Sequence, residues 1–176
     1  MGLVSFEEAT KQEINGKVYI ENKGVGLSFA VPDGWNILKD SAGLSMHSSN
    51  FVPLSEDSFF IPKSGCWIEA LSEILKSDDD YDLEYGDLRL MIDDQNYLAQ
   101  KSSDKKKLEV VEISTMKGIR SNFLSDSNPD NIGNFIYTAI PYKNILYVFN
   151  TYLFGEDKEI CLQKFNNFLT TVTIKK

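Results

Sequence analysis

Alternating apolar and polar positions predict a β-strand over residues 25–31, where Leu27, Phe29 and Val31 are separated by smaller side chains. This spacing is typical of a strand with one buried face. A Pro-Asp-Gly-Trp sequence follows at residues 32–35. Proline has no N–H to extend the ladder, and Asp-Gly favours a turn, so we expect the strand to end there. A strand at residues 17–20 precedes it, which predicts a hairpin.

The second half of the chain contains four further strand patterns joined by short turn-like linkers. They cover residues 108–115, 119–125, 134–140 and 145–154. Short connections favour antiparallel neighbours, so we predict a meander. The last two strands are apolar on both faces. A strand buried on both faces needs a layer above and a layer below its sheet, and helices can supply them.

Helical patterns occur at three places. Residues 157–169 form the clearest amphipathic helix, with an acidic first turn and an apolar stripe. The stripe comprises Cys161, Leu162, Phe165, Phe168 and Leu169. Residues 83–100 also have helical spacing. A capping-box pattern beginning at Ser5 predicts a short helix to about residue 13. Residues 66–75 fit both a helix and a strand, and we favour a strand.

These elements predict one α+β domain over residues 1–176. Its antiparallel β-sheet is expected to have helices on both faces, as an α/β/α sandwich. The chain has 176 residues, of which 42% are hydrophobic and 25% charged, as is typical of a globular domain. No stretch approaches the ~20 consecutive apolar residues of a membrane span, so no stable membrane insertion is predicted. Met1-Gly2 fits a natural start and equally a start that replaces a removed leader.

The acidity of the chain is concentrated in residues 69–94. This segment holds ten acidic and two basic residues and therefore carries the whole formal net charge of −8. A net negative charge argues against general binding to nucleic acid or anionic lipid. We single out a dense run as the candidate surface for a protein partner. It consists of Asp78, Asp79, Asp80, Asp82 and Glu84.

Two other interpretations of this run remain open. Carboxylates two residues apart could offer oxygen ligands to Ca²⁺, but Leu83 and Arg89 stand where a calcium loop requires glycine and glutamate. The run could also be a solvated loop or helix start without a partner. No cofactor is predicted.

The two cysteines, Cys66 and Cys161, lack the spacing of a zinc or dithiol site. Three alternatives remain: two buried thiols, a disulfide in an exported protein, or a reactive thiol. The apolar helical stripe around Cys161 favours buried thiols. His47 is the only histidine, and no Gly-x-Ser-x-Gly motif accompanies it. We therefore favour a protein that is not an enzyme, and a hydrolase based on Cys66 or His47 is the third choice.

Aromatic residues suggest an alternative function as a small-molecule or lipid carrier. Tyr137, Tyr147, Phe149 and Tyr152 could line a groove, with the apolar residues 59–61 at its mouth. Packing in the core of a sheet explains these side chains more simply.

The sequence GLSFAVPDGW at residues 26–35 and FNNFLTTVTI at residues 165–174 resemble the two ends of the PsbP-like superfamily. This group includes the PsbP subunit of photosystem II, the Ran-binding Mog proteins and many bacterial exported proteins. The resemblance implies an antiparallel sheet flanked by helices, and a binding or assembly module rather than an enzyme. We therefore expect an exported bacterial protein that binds a protein partner through its acidic segment; a cytoplasmic protein is the alternative. Photosystem and Ran roles are not carried over.

Overall fold

The computed structural model describes residues 2–39, 43–56, 62–74, 107–125 and 133–175. Within these ranges the chain is mostly β-structure with one α-helix. The elements are β1 (Gly2–Leu3), β2 (Thr10–Ile14), β3 (Lys17–Asn22), β4 (Leu27–Ala30), β5 (Asn36–Lys39), β6 (Leu44–His47), β7 (Val52–Pro53), β8 (Pro62–Ser64), β9 (Trp67–Ile74), β10 (Lys107–Ile113), β11 (Met116–Ser125), β12 (Gly133–Tyr142), β13 (Ile145–Leu153), α1 (Lys158–Leu169) and β14 (Thr173–Ile174).

An antiparallel sheet of eight strands forms the framework. Its order is β10-β11-β12-β13-β9-β6-β5, and β1 pairs with the end of β9 beside this path. The four strands predicted in the second half of the sequence are confirmed as the meander β10 to β13. The prediction of a strand over residues 66–75 is confirmed as β9, which pairs with both β13 and β6.

A smaller antiparallel sheet has the order β14-β4-β3-β2. It contains the predicted hairpin, in which β3 pairs with β4. The chain leaves β4 through the Pro-Asp-Gly turn, where Gly34 has a positive φ of 75°. The C-terminal strand β14 pairs with the other edge of β4. The two ends of the sequence that resemble the PsbP-like superfamily are therefore neighbours in one sheet.

The main core lies where α1 and the smaller sheet face the large sheet. Phe168 of α1 joins all three parts, because its ring centroid lies 5.3 Å from that of Phe29 on β4 and 5.7 Å from that of Phe149 on β13. The opposite face of the large sheet carries a second buried cluster, formed by Ile119, Ala139, Leu146 and Val148. Burial on both faces of the central strands is confirmed.

The predicted sandwich with helices on both faces is wrong. Among the described residues the only α-helix is α1, and a β-sheet occupies much of the space beside it. The two-faced burial of β12 and β13 requires apolar layers, but an apolar layer can be a second sheet as well as a helix. The helix predicted over residues 83–100 lies outside the described residues.

The short helix predicted from Ser5 to about residue 13 is also wrong. Ser5 does cap a backbone group, since its Oγ accepts a hydrogen bond of 3.1 Å from Glu7 N, but the chain then enters β2. Asn15 and Gly16 have φ values of 52° and 77° and connect β2 to β3. Asn-Gly with two positive φ values is a strong hairpin turn, which outweighs a capping box that lacks a long apolar face.

Tyr147 links the two sheets. Its ring is buried in the core, and its hydroxyl donates a hydrogen bond of 2.6 Å to Val25 O. Burial raises the pKa of Tyr147 from 10.0 to about 12. The phenol of the unfolded chain therefore ionises first as the pH rises, and the folded state loses stability between about pH 10 and pH 12.

Tyr147→Phe is expected to cost about 1–3 kcal/mol at neutral pH, because Val25 O loses its buried donor. Above pH 10 the free energy of unfolding of this variant should fall less steeply than that of the parent. Urea unfolding at a series of pH values measures both effects. Equal slopes in the two proteins would contradict the role assigned to this phenol.

Candidate partner-binding site

The acidic run singled out in the sequence, Asp78, Asp79, Asp80, Asp82 and Glu84, lies outside the described residues. The acidic segment begins within them, at Glu69 and Glu73 on β9. Glu69 Oε2 accepts a hydrogen bond of 3.1 Å from Asn150 Nδ2. Burial raises the pKa of the Glu73 carboxyl. These two carboxylates therefore lie on a partly buried face of the sheet. The use of the run from Asp78 to Glu84 as a binding surface stays a prediction, because the run lies outside the described residues.

Cys66 and Cys161 form a disulfide with a Cα–Cα distance of 5.2 Å. The favoured prediction of two buried thiols is therefore wrong, the disulfide alternative is correct, and neither residue is a reactive thiol. The bond fastens the start of α1 to the loop before β9. Asp157 strengthens this junction, since its Oδ2 accepts a hydrogen bond of 2.8 Å from Gly65 N. The helical stripe correctly predicts that Cys161 is buried, but only the packing of α1 against β13 and β4 brings it to Cys66.

The other candidates from the sequence are dispersed. His47 lies on β6, where Nδ1 is 3.3 Å from Ser48 O, and Cys66 is held in the disulfide. Tyr147 and Phe149 lie in the main core, while Tyr152 lies on the other face of the sheet beside Trp67. Residues 59–61 lie outside the described part. No group of three or more metal-ligating side chains occurs among the described residues.

A cleft of about 300 Å³ lies between the β10–β11 hairpin and the C-terminal end of α1. We name it the Arg120 cleft. Its walls contain Ser114 from the hairpin turn, Arg120 from β11, and Asn166 and Thr170 from the helix end. Val111 and Ile113 of β10 add an apolar side. Glu112 also lines the cleft, which thus combines one cation and one carboxylate with several hydrogen-bonding groups and an apolar wall.

Arg120 has fewer partners than a buried guanidinium normally requires. Its Nη1 lies 4.0 Å from Glu109 Oε1, at the limit of an ion pair, and its Cζ lies 5.8 Å from the centroid of the Phe165 ring. The Arg120 side chain is 18% exposed, and its buried Nε has no hydrogen-bond partner among the described residues. Burial lowers the pKa of Arg120.

Thr138 adds a second unpartnered polar group beside Arg120. The two residues are directly opposite in the register of β11 and β12, and within the described part of the chain the buried Thr138 Oγ1 has no hydrogen-bond partner. Buried polar groups are nearly always satisfied, so two neighbouring exceptions call for an explanation. This site does not follow from the sequence, because the strand register and the position of α1 create it. The one available signal is Arg120 at the second position of the strand predicted over residues 119–125.

A second cleft, of about 220 Å³, lies between the smaller sheet and α1 near Pro32 and Asp33. Lys17 and Lys164 line it. The Thr171 hydroxyl in its wall is already engaged within the protein. Its Oγ1 accepts a hydrogen bond of 3.0 Å from Ala30 N and donates one of 2.8 Å to Phe168 O. The Arg120 cleft is therefore the stronger candidate for a ligand.

Comparison with known proteins identifies the fold. No family model matches the chain, and a search of curated proteins found no match. Among solved structures the chain is similar to LpqN of Mycobacterium tuberculosis, described as involved in cell envelope biogenesis, with a TM-score of 0.60, 12% identity and coverage of 96% of this chain and 91% of LpqN.

Two further structures share the fold. The cyanobacterial PsbP of Synechocystis has a TM-score of 0.55 and 10% identity over 99% of this chain and 95% of its own. The Ran-binding protein Mog1p of Saccharomyces cerevisiae has a TM-score of 0.50 and 10% identity over 95% of this chain and 96% of its own. The PsbP-like resemblance seen in the sequence is thereby confirmed as a fold. The described part of the chain contains no helix long and apolar enough to cross a membrane.

Proposed function

We propose that this chain is a non-enzymatic, exported bacterial module that binds a protein partner. The observation that carries the proposal is the PsbP-like fold, which this chain shares over nearly its whole length with a Ran-binding protein and with a protein involved in cell envelope biogenesis. Because folds of one class host many functions, the likeness supports binding as a general role and does not transfer Ran or photosystem partners.

The Cys66–Cys161 disulfide supports export. Disulfides persist in oxidising compartments and are rare in the cytosol of mesophiles. The likeness to LpqN, described as involved in cell envelope biogenesis, also supports export. The disulfide and the likeness to LpqN together favour a role outside the cytoplasm.

The acidic segment of residues 69–94 remains the proposed partner surface. It carries a formal net charge of −8, whereas the remainder of the chain is balanced. A concentrated negative charge accelerates association with a basic partner and selects against acidic ones. We expect the dense part of the run, Asp78 to Glu84, to contribute most.

Reversing Asp78, Asp80 and Asp82 to lysine is expected to abolish cross-linking to the partner in the native organism. The measurement is recovery of the cross-linked partner by mass spectrometry from cells that carry each variant. The matched control reverses three exposed glutamates elsewhere, Glu7, Glu8 and Glu13, and changes the net charge equally. Unchanged recovery after reversal of the aspartates would refute the acidic interface.

A further inference from the structure

We propose that the Arg120 cleft binds a small zwitterion, namely a free α-amino acid with an apolar side chain. The Arg120 guanidinium binds the carboxylate of this ligand, while Glu112 and the C-terminal end of α1 receive its ammonium group. Both residues line the cleft. A site of this kind goes beyond the proposed function and does not rest on it, because a small ligand and a protein partner occupy different surfaces.

The cleft has the size and one wall of a site for a small ligand. Its volume of about 300 Å³ lies at the lower end of the range found for ligand pockets. Val111, Ile113 and Leu169 supply an apolar wall, and Ile113 and Leu169 also belong to the main core. An apolar side chain placed against this wall is removed from water, which favours binding.

Arg120 provides the positive pole of the cleft. A guanidinium has five N–H donors, but among the described residues the one carboxylate near Arg120 is that of Glu109, at 4.0 Å from Nη1. The Arg120 side chain is 18% exposed, so part of the guanidinium is within reach of a ligand. A carboxylate matches the planar guanidinium with two parallel hydrogen bonds.

The negative pole lies on the other walls of the same cleft. Glu112 of β10 lines it, as do Asn166 and Thr170 at the C-terminal end of α1. A helix C-terminus carries partial negative charge and favours a nearby cation, yet the last turn of α1 contains no basic residue. Thr170 Oγ1 donates a hydrogen bond of 2.7 Å to Asn167 O and retains lone pairs that can accept one from an ammonium group.

The two poles together favour a zwitterion over a simple ion. Arg120 contributes one positive charge, whereas Glu109 and Glu112 contribute two negative ones, so an isolated anion meets a net negative environment. An isolated cation leaves the guanidinium of Arg120 without further acceptors, which is costly for a largely buried charge. A ligand that carries both charges places each beside its opposite.

The test uses the full chain and L-leucine, with N-acetyl-L-leucine, L-leucinamide and glycine as matched probes. They lack the ammonium group, the carboxylate and the apolar side chain, respectively. Isothermal titration calorimetry measures each affinity, and two-dimensional NMR of the ¹⁵N-labelled protein locates binding through the Arg120 Nε–Hε signal. We expect leucine to shift this signal and to bind about tenfold more tightly than each of the other probes, as one ion pair or one buried side chain implies.

Variants of the protein assign the two poles. Arg120→Lys should weaken leucine binding about tenfold, since lysine lacks the bidentate geometry of the guanidinium. Glu112→Gln should weaken leucine binding severalfold without weakening that of N-acetyl-leucine, because it removes a carboxylate that only the ammonium group uses. The matched control Glu159→Gln removes an exposed carboxylate from the first turn of α1 and should leave leucine binding unchanged. If Arg120→Lys does not fold, Glu112→Gln and the four probes still decide the outcome.

Four results would overturn the inference. The first is no shift of the Arg120 signal at millimolar leucine, and the second is N-acetyl-leucine or leucinamide binding as tightly as leucine. The third is equal leucine affinity of the parent and Glu112→Gln. The fourth is glycine binding as tightly as leucine, since the apolar wall would then take no part. None of these results changes the cross-linking of a protein partner, which tests the proposed function separately.

Discussion

Replacing Cys66 and Cys161 together by serine is expected to lower the free energy of unfolding by roughly 2–5 kcal/mol. The bond connects residues separated by 95 positions, so its loss releases a long loop in the unfolded chain. It also releases the start of α1 from the segment before β9. Urea unfolding of the oxidised parent, the reduced parent and the double serine variant measures the cost.

The reduced parent and the double variant should unfold at similar urea concentrations, below that of the oxidised parent. Addition of reductant to the serine variant is the control and should change nothing. Equal urea midpoints for the oxidised parent and the double serine variant would contradict a stabilising disulfide. A large loss in reducing medium would also agree with the proposed export, because such a chain would fold poorly where glutathione keeps thiols reduced.

Much of the fold could be predicted because its strands are specified locally. The alternation Leu27, Phe29, Val31 places one face of β4 in the core, and the short linkers between β10 and β13 leave antiparallel pairing as the simplest arrangement. The helix α1 was predicted within one residue, because its apolar stripe is long and continuous.

The wrong predictions arose where a local pattern has two physical solutions. Ser5 caps a turn in the structure as it would cap a helix, and Asn15-Gly16 ends a helix as readily as it joins two strands. A strand buried on both faces requires an apolar layer of either type, and here the smaller sheet supplies part of it. The local β2–β3 hairpin decides the first choice. The smaller sheet also needs the pairing of β4 with β14, which joins residues far apart in sequence.

The candidate site could not be predicted because it depends on four elements at once. The register of β10, β11 and β12 sets Glu109, Arg120 and Thr138 in one cross-strand row. The end of α1 then closes the other side of the cleft. Each residue alone is ordinary in its own strand or helix. For the acidic segment of residues 69–94 the reverse holds. Its charge is evident from the sequence, whereas its role as a partner surface stays a prediction.

Phe168→Ala is expected to destabilise the protein by about 3–5 kcal/mol, since truncating a buried phenylalanine removes apolar contact and leaves a cavity. Phe168 is 2% exposed and joins α1 to both sheets through Phe29 and Phe149. The matched control is Ile160→Ala in the same helix, where the side chain is 56% exposed and the cost should stay within about 0.5 kcal/mol. Urea unfolding measures the loss in free energy of unfolding for each variant. Equal losses would contradict the central position of Phe168.

The same substitution connects the core to the candidate site. Asn166, Leu169 and Thr170 of the α1 end form one wall of the Arg120 cleft, and Phe168 anchors that end to the sheets. Phe168→Leu keeps most of the apolar volume and should cost less than Phe168→Ala while the variant remains folded. Under conditions where both variants are folded, the Nε–Hε signal of Arg120 in two-dimensional NMR of the ¹⁵N-labelled protein should lie further from its parental position in the alanine variant than in the leucine variant, because the helix end of the alanine variant is less firmly held. Equal displacements of this signal in the two variants would show that the cleft does not depend on Phe168.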